Sequence, residues 1–172
     1  MNIKKKNTFR YFLINFLIFF ILMLFHFSGN ISFKIALAEP IPYISLLIAV
    51  SMFSSETSAA FSGLVLGFFA DSVSAQSSVF NTVCLFLIAL AVSVLMHYTF
   101  NNNIFSALAL GVSGNIFYFL LNWLFFHCFN SGSENISYYL FRIGFPSAIY
   151  TAVFIVPFYY FERMLYKKYL TN

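Results

Sequence analysis

Hydrophobic residues run along this chain in long blocks, and a few charged positions cut the blocks apart. Between Arg10 and Lys34 lie 23 uncharged residues, between Glu39 and Glu56 lie 16, and between Glu56 and Asp71 lie 14. A run of 62 separates Asp71 from Glu134, and one of 19 separates Arg142 from Glu162. A helix that crosses a bilayer needs about 20 apolar residues. The longest run therefore holds two helices, divided at the polar turn-forming cluster Thr99-Phe100-Asn101-Asn102-Asn103. The pattern predicts spans at residues 11–28, 40–53, 58–75, 79–98, 104–129 and 144–161. Each must be helical, because a lone strand leaves backbone groups unpaired in hydrocarbon. The second and third are short and joined by the polar Ser54-Ser55-Glu56-Thr57-Ser58. Two full spans are favoured over a re-entrant hairpin, since Pro40 to Ala75 is long enough for two crossings. The expected fold is an all-α integral membrane protein: one membrane domain over residues 1–172, a bundle of about six transmembrane helices.

Composition sharpens this picture. The chain is 61% hydrophobic and 8% charged, where globular proteins carry about 25% charged residues. That excludes a cytosolic enzyme, a nucleic-acid binder and a disordered regulator. The net charge of +4 sits at the chain ends instead of along one face. Lys4, Lys5, Lys6 and Arg10 precede the first span, and Arg163, Lys167 and Lys168 follow the last; Lys34 and Arg142 alone fall on the opposite side. This asymmetry predicts a multi-pass plasma-membrane protein with both termini cytoplasmic. Tyr159, Tyr160, Tyr166 and Tyr169 suit an interfacial aromatic belt. The basic start and the Ala36-Leu37-Ala38 sequence resemble a secretory signal. Yet that site lies far beyond the apolar stretch, and the stretch is long enough to stay in the membrane.

Catalytic chemistry finds little support. Ser113, between Gly111 and Gly114 in the fifth span, is the most tempting nucleophile. A serine nucleophile needs a histidine within hydrogen-bonding reach. His127 is 14 residues further along the same helix, a rise of about 21 Å. Small residues for close helix packing explain the motif better. His26, His127 and Cys128 lack metal-ligand spacing, and there is no H-E-x-x-H or C-x-x-C. Cys84 and Cys128 lie in apolar runs and imply no disulfide framework. The sequence calls for no catalytic residue, no metal and no cofactor.

The segment from Ser55 to Asp71 carries the most information. Ala59, Gly63, Gly67 and Asp71 recur every four residues and form one slowly drifting stripe on a helix. Small residues at this spacing admit another backbone, and close packing is what drives helix association in lipid. Asp71 adds a charge at the unfavourable C-terminal end of its helix dipole. An aspartate near hydrocarbon normally has a partner, and the cationic candidates on its side are Arg142 and Lys34. A solvated boundary residue is the plainer alternative.

The Gly63-x-x-x-Gly67-x-x-x-Asp71 stripe resembles the best-marked segment of MreD, the rod shape-determining membrane protein family of bacteria. Chain length, basic ends and six predicted spans are similar too. One departure stands out: the family usually has a glycine several residues after the aspartate, and here the chain reads Gln76-Ser77-Ser78-Val79-Phe80. The resemblance implies a fold similar to the six-helix substrate-binding subunits of energy-coupling-factor vitamin transporters. It also implies a non-enzymatic subunit of the cell-elongation machinery, working in lateral peptidoglycan synthesis and cell-shape control. Its partner would be the single-span protein MreC and, through it, MreB and the RodA–transpeptidase synthase. Ala59, Gly63 and Gly67 would make a helix contact, either internal or with MreC, and Asp71 would fix the outer end of that helix. The alternative is a vitamin-transporter substrate subunit itself. Such subunits dock through small residues in the first helix, and Tyr11 to Phe27 contains no alanine, glycine or serine. A vitamin site would draw on Asn115, Asn122 and Trp123.

Overall fold

The structure, a computed structural model, describes residues 3–27, 40–74, 79–128, 142 and 144–170. The described residues are all-helical, with no strand among them. In chain order the helices are α1 (Ile3–Phe27), α2 (Pro42–Phe53), α3 (Glu56–Val73), α4 (Phe80–Tyr98), α5 (Ile104–Trp123), α6 (Phe145–Val153) and α7 (Ile155–Tyr169). Three of them are long and apolar enough to cross a membrane: Asn7–Phe27, Phe80–Tyr98 and Ile104–Phe126. The loops around Lys34 and Glu134 lie outside the described residues.

The centre of the molecule is α2. Every residue from Tyr43 to Met52 is buried, and α2 packs against each of the other six helices. A helix that is hydrophobic all round belongs in a core, and this one is enclosed by its neighbours. Pro42 opens it, where a missing N–H costs nothing. At 12 residues it rises about 18 Å, well short of a hydrocarbon core of about 30 Å. The segment predicted as a span at 40–53 is a 12-residue apolar helix enclosed by the others, shorter than the three that are long enough to cross a membrane.

Around it, the outer helices alternate inward and outward faces. On α1, Tyr11, Asn15, Phe19 and Met23 are buried at four-residue intervals, while Phe9, Leu13, Leu17 and Leu24 are exposed. Phe61, Leu64 and Phe68 of α3 and Phe105 and Phe117 of α5 are exposed as well. This quantity of outward apolar surface suits lipid, not water.

Two boundaries depart from the sequence pattern. The predicted span at 104–129 passes from α5 into a π-helical turn at Leu124–Cys128. The span at 144–161 is two helices broken at Phe154. Pro157 explains the break: it has no N–H to give the Val153 carbonyl, and its ring crowds that group. The Phe154 N–H bonds the Thr151 carbonyl at 3.1 Å, a tighter turn than an α-helix makes. Beyond the break, α7 continues eight residues past Phe161, through Glu162, Arg163, Lys167 and Lys168.

Candidate functional site

The stripe of small residues lies against α4. Ala59, Gly63 and Gly67 are all buried. A Cβ on Gly63 would stand 2.6 Å from the Leu85 carbonyl oxygen and 2.9 Å from the Phe86 Cα. One on Gly67 would overlap the Thr82 Cα and come within 2.8 Å of the Asn81 carbonyl oxygen. Both obstacles are backbone, which cannot swing aside as a side chain can. The glycines therefore let α3 and α4 meet at backbone distance, where dispersion between the two helices is strongest. The face that the sequence left open to an internal contact or to MreC is occupied from within the chain.

Asp71 completes the same contact one turn beyond Gly67. Its Oδ1 accepts the Asn81 N–H at 2.9 Å; its Oδ2 accepts the Thr82 N–H at 2.7 Å and the Thr82 hydroxyl at 2.6 Å. Asn81 and Thr82 stand in the first turn of α4, whose backbone N–H groups have no partner within the helix. The residue preceding α4, Val79, makes no side-chain cap. Asp71 thus supplies the cap from the end of the neighbouring helix. This also reverses the dipole argument. At the C-terminus of its own helix the carboxylate is badly placed, and at the N-terminus of α4 it is well placed.

The sequence expected a cation, Arg142 or Lys34, to hold this carboxylate. Its hydrogen bonds come instead from backbone and hydroxyl donors of α4. Arg142 is exposed ahead of α6, and Lys34 falls outside the described residues. The network runs further inward, because the Asn81 Oδ1 accepts the Tyr118 hydroxyl of α5 at 2.6 Å. Three helices, α3, α4 and α5, are thereby joined at one end of the bundle.

A second polar cluster lies at the opposite end. Glu162 on α7 is fully buried. Its Oε2 accepts the Tyr11 hydroxyl at 2.7 Å and the Asn15 amide at 3.2 Å. These bonds set the beginning of α1 beside the end of α7. Sequence reasoning missed this cluster because it took Glu162 for a charge outside the membrane. The available signal was the helical spacing of Ile155, Tyr159 and Leu165, which puts Glu162 on the same buried face. Near it, the Tyr159 hydroxyl bonds the Asn102 carbonyl at 3.1 Å. Tyr159 is therefore a buried packing residue, whereas Tyr160 is exposed as an interfacial tyrosine would be.

The remaining sequence candidates are dispersed. Ser113 is exposed and bonds its own helix at the Leu110 carbonyl, 3.3 Å away. Asn115 is buried, with its amide nitrogen on the Gly111 carbonyl at 2.7 Å. Cys84 is a free buried thiol, and no group of three or more His, Cys, Asp or Glu suited to a metal occurs among the described residues. A groove of about 490 Å³ lies between α1 and α3, lined by Phe9, Phe12, Asn15, Phe61, Ser62 and Val65 among others. Compared with family models, curated proteins and solved structures, the chain matches none of them.

Proposed function

We propose that this chain is a non-enzymatic, multi-pass subunit of the bacterial cell-elongation machinery, similar to MreD. In this reading it sits in the plasma membrane with both termini cytoplasmic, binds MreC, and so supports lateral peptidoglycan synthesis and cell shape. One observation carries the reading: Gly63, Gly67 and Asp71, the residues of the resemblance, all face α4, Gly63 against Leu85, Phe86 and Ala89, and Gly67 and Asp71 against its first turn. The three residues serve one structural purpose, two glycines for approach and one carboxylate for the cap. MreC is assigned to a surface other than this stripe, because α4 already covers it. The orientation draws on the basic ends of the chain and on the Tyr11–Glu162 bond, which sets α1's start beside α7's end.

The test is replacement in a rod-shaped bacterium depleted of its own MreD. Recovery of rod shape, together with co-purification of MreC, is the expected result. Round cells despite full membrane expression would sink the reading. The groove between α1 and α3 favours a second reading, a vitamin-transporter substrate subunit, since about 490 Å³ lies within the ordinary range of ligand pockets. Native mass spectrometry separates the two, because a stoichiometric vitamin on the gently purified protein belongs only to the second.

A further inference from the structure

The Glu162 cluster contains more acceptors than donors. The carboxylate has two neutral donors, Tyr11 and Asn15, and both reach Oε2. Its Oε1 has no hydrogen-bond partner, and neither has the Asn15 Oδ1 nor the Ser54 hydroxyl. Glu162 is 0% and Asn15 6% exposed, so bulk water does not satisfy them. Ser54 stands beside Tyr11 at the C-terminal end of α2. There Phe53 packs on Tyr159 and Tyr166, which flank Glu162 on α7. A buried acceptor without a donor costs about 1–3 kcal/mol, and a buried charge more. The free carboxylate oxygen, the Asn15 carbonyl oxygen and the Ser54 hydroxyl together offer an oxygen-only set of ligands around one negative charge.

We propose that Glu162, Asn15 and Ser54 form a binding site for a monovalent alkali cation of the sodium class. The donor set is oxygen only: a carboxylate, an amide carbonyl and a hydroxyl, which suits hard cations and excludes soft metals. Valence follows from charge. One carboxylate is neutralised by one positive charge, whereas a divalent ion would leave an excess charge buried in apolar surroundings and usually draws on more carboxylates. Ser54 also lines a polar cavity of about 330 Å³ at this end of the bundle, with Ser55, Ser93, His97 and Asn102 on its wall. Ser54 and Tyr166 are the residues this cavity shares with the surroundings of Glu162.

A proton competes for the same carboxylate, so the site responds to acidity as well as to salt. The titratable groups around it are Tyr11 on α1, Tyr159 and Tyr166 on α7, and His97 of α4 at the cavity wall. Arg10 and Arg163 are exposed and Glu56, which opens α3 two residues beyond Ser54, is partly exposed; α2, α5 and α6 carry no Asp, Glu, Lys, Arg or His.

The experiment is thermal unfolding of the purified full chain in detergent, in sodium, potassium or N-methylglucamine chloride at equal ionic strength and mildly alkaline pH. Sodium should raise Tm saturably by about 4 °C over N-methylglucamine. Glu162→Gln keeps both hydrogen bonds to Oε2's position and removes the charge. It should abolish the response while being at least as stable as the native chain in N-methylglucamine, which shows that it folds. Asn15→Leu should weaken the response at unchanged helix content. Acidification in N-methylglucamine should reproduce part of the gain and reduce the added effect of sodium. Equal responses to sodium and potassium still support an alkali site. The proposal is overturned if native Tm is the same in all three salts, or if the sodium response survives in Glu162→Gln. Stabilisation by acid with none by either alkali ion also overturns it, and leaves Glu162 as a buried protonated acid.

Discussion

Asp71 shows how one side chain can reverse its meaning between sequence and fold. Read on its own helix, it is an acid at the negative end of a dipole; placed against α4, it is a cap holding three donors. Replacing it tests the cap directly. Asp71→Leu removes all three bonds and should cost about 2–3 kcal/mol of stability, whereas Asp71→Asn retains one acceptor and should cost about 1 kcal/mol. Chemical unfolding of the purified protein in detergent measures both, and an unchanged transition in Asp71→Leu would remove the cap from the account. Thr82→Val should cost less than Asp71→Leu and should couple to it in a double-mutant cycle. Exchanging Asp71 and Arg142 should not recover stability. An arginine at position 71 would point a positive charge at the N–H groups of α4, and the purified double variant should unfold no later than the worse single variant.

Among the elements, the α3–α4 hairpin depends on backbone contact, and its glycines should be unequal to others in the chain. Gly67→Ala meets the Thr82 Cα and the Asn81 carbonyl, both backbone. Gly114→Ala meets chiefly the Ile48 Cδ1, the far end of a flexible side chain, at 2.9 Å. Overpacking a tight contact costs about 1–3 kcal/mol. Gly67→Ala should fall within that range, Gly114→Ala below it, and Gly67→Leu beyond it. Resistance to unfolding in a strong detergent ranks the three, and equal losses would mean that backbone approach is not what Gly67 provides. Because the lesion is internal, Gly67→Leu should lower the amount of folded protein before it affects any partner. Full folding with selective loss of MreC would return the stripe to the partner.

For the whole molecule, the described helices impose a geometry on any membrane arrangement. The bond from Tyr11 to Glu162 sets the start of α1 and the end of α7 at one end of the bundle, and the Asp71–Asn81–Tyr118 chain lies at the other. With the lysine and arginine asymmetry of seven to two, the Tyr11 end is cytoplasmic in the proposed orientation. Single cysteines at Lys34 and Lys167 should then label on opposite sides, position 34 from outside intact cells and position 167 only after permeabilisation. Labelling of position 167 from outside would invert the topology and place the cation cavity on the outer face.

Hydrophobic blocks and charge positions, read by themselves, determined that the protein is helical and where most helix boundaries fall; they predicted about six spans, and three of the described helices are long and apolar enough to cross a membrane. Bilayer thickness and backbone satisfaction act locally along a chain, so a single sequence carries them. The stripe of Gly63, Gly67 and Asp71 was legible for the same reason, since small size at four-residue spacing is a property of one helix. Its partner was not, because α4's exposed N–H groups belong to a different segment and are donors that every sequence has. Only tertiary structure decided that α2 is an enclosed core helix, since length alone does not say what surrounds it. The same holds for Glu162: a carboxylate near a helix end looks solvated until Tyr11 and Asn15, about 150 residues away, close over it. Burial is a relation between distant segments, and the charge pattern along one segment does not contain it.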